Sequence, residues 1–303
     1  MNRNTLVFLL AILVLSGTNS FSQTSDKKQD LKSQLQAITG KYKAIVGIGV
    51  LHIESGDTFA LNHQLHFPMQ SVYKFQLGLA VMDKVDKGEL TLAQTYHVTK
   101  EDLLDETWSP LKKKFPKGNV DLTVAELLNY SVSQSDNIAC DILFKLVKGT
   151  SCVNEYIHQI GITGMEISTT EHEMRADWKI QYGNWSKPMD MCRLLKGFYL
   201  KKYLSDSSNT FLMNLMIESS NDAGRIKSLL PEGTVVAHKT GTSNRRDEKI
   251  YDACNDVGII FLPDGTHLAL SVFVNKSEES YDDTRKLIAE ISKAIYDFYA
   301  VKK

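Results

Sequence analysis

The sequence predicts an α+β fold: one antiparallel sheet built from both chain ends and covered by helices, with an all-helical lobe inserted between its halves. Three patterns carry that expectation. β-branched and apolar runs lie near the N-terminus and return near the C-terminus. Helical periodicity fills the middle. An amphipathic helix stands near each end, ready to cover the sheet.

Taken in order, residues 1–22 read as a signal peptide. Arg3 supplies charge, Leu6 to Leu15 is apolar and too short to span a bilayer, and Ser20-Phe21-Ser22 offers small residues for cleavage. No cysteine lies there to take a lipid anchor. Residues 23–303 form the globular unit, with a sheet lobe over about 23–66 plus 226–303 and a helical lobe over about 67–225. Leu31, Leu35, Ile38 and Tyr42 recur at helical spacing. Ala44 to His52 and Thr58 to Asn62 flank the turn Glu54-Ser55-Gly56-Asp57 and read as a hairpin. From Phe75 to Met82 only Gln76 is polar, and a helix that is apolar all round is a buried one. Leu122 to Leu128 and Ile138 to Val147 are the clearest helical stretches of the middle, the first opened by a capping box of Thr123 and Glu126. Thr234 to His238 is a strand with Lys239-Thr240-Gly241 at its end. Asp256 to Leu262 and His267 to Val274 flank the turn Pro263-Asp264-Gly265-Thr266. A last helix, Ser280 to Tyr299, carries Leu287, Ile291, Ile295 and Phe298 on one stripe.

With 43% hydrophobic residues and a net charge of −1, the chain suits a soluble protein and offers nucleic acid no basic surface. Lys112-Lys113-Lys114 and Lys201-Lys202 read as solvated faces. The eight histidines contain no H-E-x-x-H, and His63 with His66 lacks a third ligand, so neither metal nor cofactor is expected. Cys140, Cys152, Cys192 and Cys254 allow three pairings, among which sequence does not choose. None flanks Ser71 or closely follows Lys239-Thr240-Gly241, so any bridge is expected to be peripheral, and Cys140, within the apolar stretch Ile138 to Val147, suits a buried free thiol equally well.

Ser71 stands where the buried helix begins, three residues before Lys74, so hydroxyl and amine share a helix face. The helix N-terminus adds a positive potential and unpaired backbone N–H groups, the setting for a nucleophile and its oxyanion. Alone, S-x-x-K decides nothing, because Ser25…Lys28 and Ser109…Lys112 match it too. Ser135-Asp136-Asn137 follows at the start of the Ile138 helix, where such residues also serve simply as turn and cap. Lys239-Thr240-Gly241 comes last, on a strand.

Together, in this order and at these separations, the three motifs resemble the class A serine β-lactamases, relatives of the penicillin-binding proteins, across essentially the whole mature chain. The resemblance implies a β-lactamase/transpeptidase-like fold and a monomeric, periplasmic hydrolase of β-lactams with no stable membrane association. It makes Ser71 the acylated nucleophile, Lys74 its basic partner, and Ser135 the proton relay to the leaving nitrogen. Asn137 would bind the side-chain amide, and Lys239 with Thr240 the carboxylate; the N–H groups of Ser71 and Thr242 would form the oxyanion hole. Glu171 aligns with the deacylating carboxylate, with Glu173 as a rival two residues on. Trp108 fits the aromatic gate. Arg225, fourteen residues before Lys239, fits a second cation for the substrate carboxylate. Thr242 and Ser243 border the same anion, and a free Arg225 fork would favour cephalosporins.

The chain also departs from the commonest family pattern. Arg175 stands where an asparagine usually helps to hold the hydrolytic water, and Thr169 and Asn184 replace the arginine–aspartate pair that usually closes the loop. With Gln181-Tyr182-Gly183-Asn184-Trp185, these departures resemble the extended-spectrum and cephalosporinase branch. A D,D-peptidase or transpeptidase, or a penicillin-sensing domain that acylates without turnover, would share the three motifs but has no need of Glu171.

Overall fold

The computed structural model describes residues 27–220 and 224–300. The expected signal peptide at 1–22 lies outside the described residues. Five strands make the main sheet: β1 (Ile45–His52), β2 (Thr58–Leu61), β3 (Val236–Thr242), β4 (Cys254–Phe261) and β5 (His267–Asn275), in the antiparallel order β2-β1-β5-β4-β3. Both chain ends therefore meet in one sheet, with Ile45 opposite Asn275 and Thr242 opposite Cys254.

Alternation along the strands separates two cores. Val46, Ile48 and Val50 face one core with Leu31 and Leu35 of helix α1 (27–39) and Leu287, Ile291 and Ile295 of the C-terminal helix Tyr281–Ala300. On the other face, Gly47 and Gly49 let neighbours come close. A side chain at Gly47 would enter the Phe67 ring, and one at Gly49 would strike the Pro188 carbonyl that opens helix Pro188–Tyr199. The helical lobe packs on this face around helix α2 (Lys74–Asp86), in which every residue from Lys74 to Met82 is buried. Gly78 lets α2 approach Leu212 of helix Asp206–Ile217.

Two sequence expectations need correction. The strand predicted over Thr234 to His238, with the Lys239-Thr240-Gly241 motif at its end, begins at Val236 and runs through Thr242, so the motif is paired along its length with Val257, Asp256 and Asn255 of β4. The helix predicted from Leu122 is a strand to Thr123, Val120–Thr123, paired with Thr95–Val98, and becomes helical only at Val124. Thr123 ends the strand and caps the helix with Glu126, as the capping-box pattern requires. The short sheet Met165–Glu166, Trp185–Ser186 and Phe67–Pro68 had no sequence signal, since its strands are two residues each.

Candidate active site

Ser71 lies in a single 3₁₀ turn, Gln70–Tyr73, that leads into α2. The turn is held from two sides. Buried Asn255 of β4 donates to the carbonyls of Pro68 (2.8 Å) and Met69 (3.1 Å), and Met69 N donates to the Asn184 carbonyl at 2.8 Å. On the strand side Gly241 is in contact: a Cβ there would lie 2.4 Å from Met69 O and 3.1 Å from Val72 N. Only glycine lets β3 approach the Ser71 turn this closely, and Ser71 and Thr242 line the same cavity.

Lys74 is fully buried, and its Nζ donates to Ser71 Oγ (2.7 Å), Asn137 Oδ1 (2.7 Å) and Glu171 Oε1 (2.5 Å). Burial pulls the pKa of the ammonium down, but the charge and hydrogen bond of Glu171 outweigh it and hold Lys74 above its ordinary value. Ser135 occupies the left-handed region (φ 58°) and accepts from Lys239 Nζ at 2.9 Å. Lys239 also donates to Thr240 O (3.0 Å); burial first, then repulsion from Lys74, drives its pKa well below the ordinary lysine range. Asn137 opens helix α3 (Asn137–Leu146) and turns its amide nitrogen to Thr107 Oγ1 (2.8 Å).

Glu171 begins the short helix Glu171–Met174. Asp141 of α3 accepts the N–H groups of Glu171 and His172, both at 2.9 Å, and so aims the start of that helix at Lys74. Burial, then the neighbouring Glu171 charge, raises the Asp141 carboxyl to about 7. Glu173, the rival, is spent elsewhere: its carboxylate accepts from Thr170 N (2.8 Å) and Thr170 Oγ1 (2.9 Å) in a second capping box. The loop's neck is closed by Asn184. Its Oδ1 accepts from Ser168 N (2.8 Å) and Thr169 N (3.0 Å), while its Nδ2 donates to Thr169 O (2.8 Å).

Arg225 is 1% exposed. Its NH1 donates to Asn255 O (2.6 Å) and Gly241 O (3.2 Å), its NH2 to Thr242 Oγ1 (2.5 Å) and Tyr281 OH (3.3 Å). The fork that sequence reading left free is therefore occupied, and it reaches the cavity through the Thr242 hydroxyl. Ser243 Oγ accepts from Ala253 N (3.0 Å), continuing the strand pairing. Trp108, 61% exposed, donates from Nε1 to Gln134 O at 3.0 Å and stands at the cavity mouth; Arg175 is exposed on the cavity wall. Of the two other serine–lysine matches, Ser25 lies outside the described residues and Ser109…Lys112 resolves as structure. Ser109 caps helix Pro110–Lys114 and donates to buried Asp136, which also accepts from Leu111 N and Ala139 N. Asp136 and Asp141 are parts of the site's scaffold that sequence reading did not single out.

All four cysteines are free, so no bridge forms, and two of them lie close to the site. Cys140 touches Tyr73 at 3.6 Å and Cys254 faces Thr242 across the sheet. Cys254 comes in from a remote segment on β4, whereas Cys140 lies one helical turn after Asn137 on α3.

The assembled cavity, about 730 Å³, is lined by Ser71, Ser135, Asn137, Glu171, Thr240 and Thr242 among others. Residues 30–299 match the model of the beta-lactamase enzyme family. The chain is 40% identical to beta-lactamase VEB-1 of Pseudomonas aeruginosa over 97% of its own length and 98% of that protein's. It is likewise 40% identical to the extended-spectrum beta-lactamase PER-1 of the same organism, over 96% and 94%. Its fold superposes on the crystal structure of the TLA-1 extended-spectrum beta-lactamase with a TM-score of 0.88, at 46% identity, covering 90% of this chain and 99% of that one. A beta-lactamase from Chitinophaga pinensis gives 0.86, at 46% identity and 88% and 98% coverage. With the motif order, the sheet topology and these similarities in agreement, the chain belongs to class A of the beta-lactamase enzyme family.

Proposed function

We propose that the chain hydrolyses the β-lactam amide of cephalosporins and penicillins through an acyl-enzyme on Ser71, and so confers resistance to these antibiotics. The observation that carries the reading is Glu171, whose carboxylate shares the Lys74 ammonium with the Ser71 hydroxyl. A peptidase or a sensor needs the serine and the lysine, whereas a hydrolase also needs a base for water.

Proton accounting supports the roles. Lys74 Nζ has three donors and three acceptors around it, so as drawn it is an ammonium and cannot yet act as a base. Transfer of one proton to Glu171 frees an amine lone pair, which takes the Ser71 proton as Oγ attacks the lactam carbonyl. The oxyanion lies between the N–H groups of Ser71 and Thr242, where losing one donor costs about 10²–10³ in rate. Ser135 passes a proton to the leaving nitrogen and is refilled from Lys74, after which Glu171 returns its proton to Lys74. Glu171, again a carboxylate, then deprotonates the water that cleaves the ester, and Ser71 recovers its hydrogen. Asn137 binds the side-chain amide. Lys239, Thr240 and the Thr242 hydroxyl polarised by Arg225 receive the carboxylate, with Ser243 at the edge and Trp108 over the entrance. With its fork occupied, Arg225 does not bind the carboxylate at two points, and any advantage for cephalosporins rests on the Thr242 hydroxyl alone.

Residues 1–22 act as the export signal, residues 23–303 as a monomeric catalytic unit in the periplasm. Among the described residues no helix is long and apolar enough to cross a membrane. Steady-state hydrolysis of a chromogenic cephalosporin tests the function, with mass spectrometry of the protein trapped by a slow β-lactam. Sustained turnover with the adduct on Ser71 is expected. Acylation without turnover, or an adduct on another serine, would overturn the reading.

A further inference from the structure

Two walls of the cavity come from segments far apart in sequence. One is the far half of the loop, 174–182. The other is the hairpin that follows β3, whose strands Arg245–Arg246 and Ile250–Tyr251 pair with each other. Arg246 joins them. Its guanidinium carbon lies 4.5 Å from the centre of the Trp178 ring, while its Nε and NH2 donate to the two oxygens of Asp252 at 2.9 and 3.3 Å. Asp252 is 1% exposed, accepts from Tyr182 OH at 3.0 Å, and is anchored to β5 through Asn275 Nδ2, which donates to its carbonyl at 2.8 Å. The Tyr182 ring stands edge-on to Trp178 at 6.3 Å.

The contact thus has two unlike ends. A buried carboxylate fixes the guanidinium plane on the hairpin, and that plane then lies on an aromatic face carried by the loop. It is also separate from the contacts that hold Glu171, which run through Asp141 and Asn184 at the near end of the loop. Near and far halves of the loop are fastened independently, one at the chemistry and one at the rim. Resting on the reading of the cavity as a β-lactam site, the carboxylate of the substrate faces Lys239, Thr240 and Thr242. That leaves its acyl end for the rim where Trp178 and Arg246 meet.

We propose that Arg246 is a specificity-determining residue: by latching Trp178 to Asp252 it sets the width of the acyl end of the cavity and presents bulky, branched acyl groups with a prearranged wall. A compact acyl group, shorter than the reach to that wall, depends on the latch less.

The test compares two cephalosporins that share a leaving group, one with a compact arylacetyl and one with a branched oxyimino acyl group. Values of kcat and KM are measured for the parent, Arg246→Ala, Trp178→Ala, the double variant and Arg246→Lys. Each alanine variant is expected to raise KM for the branched substrate at least fivefold more than for the compact one. The double variant should do little more than either single change, because both remove one shared contact. Lysine, which keeps the charge without the plane, should fall between parent and alanine. Equal changes for both substrates, additive effects of the two alanines, or a fall confined to kcat would overturn the proposal. Should an alanine variant fail to melt cooperatively, Trp178→Leu, which keeps bulk without an aromatic face, replaces Trp178→Ala, Arg246→Gln replaces Arg246→Ala, and the same KM ratio decides. A parent that hydrolyses neither substrate would instead overturn the proposed function, whereas an active parent with an unmoved ratio overturns the latch alone.

Discussion

At Lys74 one ammonium meets three acceptors, and each neighbour's role depends on which of them holds the proton. Glu171→Gln keeps the shape and removes the base for water. Deacylation should fall about 10²–10⁴-fold. Acylation should slow as well, because Glu171 also relieves Lys74 of a proton, but by less, so the Ser71 adduct accumulates in a mass spectrum of the working enzyme. Turnover near the parental rate would take the role away from Glu171. Asp141 invites a pH experiment. Its carboxyl is raised to about 7 in the folded chain, from an ordinary 3.8. A group that holds its proton more tightly when folded makes stability decline as pH rises between those two values. The difference in melting temperature, parent minus Asp141→Asn, should therefore fall from pH 4 to pH 7 and flatten above. A flat difference throughout would contradict the shift. Sequence held one unused signal at this scale. Thr170 followed three residues later by Glu173 is a capping pattern, and it removes Glu173 from contention without a structure. Asp141 carried no such mark, because only the approach of α3 to the loop gives its carboxylate two N–H groups to accept.

The loop between Thr169 and Asn184 shows how an element survives the loss of a familiar tie. Where an arginine–aspartate pair was expected and absent, one buried asparagine amide serves both strands of the neck. Asn184→Ala should cost about 1–3 kcal/mol for each backbone group left buried without a partner. Deacylation should slow as well, since Glu171 begins its helix two residues after Thr169. Urea unfolding and single-turnover deacylation measure the two effects, and a variant unchanged in both would leave the neck without its proposed fastening. Elements with ten or more residues of one period, such as α2 and the C-terminal helix, were legible in sequence because burial imposes their pattern. Val120–Thr123 was not, because four residues of strand feeding directly into a helix share one apolar run with it. The strand carrying Lys239 was placed, but its end was read too early: a glycine within a strand looks like a terminator until the backbone it must approach is known.

At the scale of the molecule, the sheet assembled from both ends was legible because β-type runs bracketed a helical middle, and the three motifs converge because that sheet's edge meets the buried helix. The cysteines were legible only as a count. Cys140, Cys192 and Cys254 are placed in the interior by packing, and Cys140 and Cys254 became neighbours of the site through long-range contacts. The same long-range pairing acts on time as well as space. Strand β1 lies between β2 and β5, and its partner in β5 emerges roughly 230 residues further along. Every residue assigned to the chemistry thus precedes β5 along the chain, while the sheet that must hold them lacks its central strand until β5 is added. A chain ended at Gly265 should consequently be digested throughout by a low dose of protease, whereas the full chain yields a resistant body; a protected fragment from the shorter chain would show that the helical lobe folds alone. If the lobe cannot, the chain remains a thread until β5 has joined, and one late strand decides when every earlier segment becomes solid.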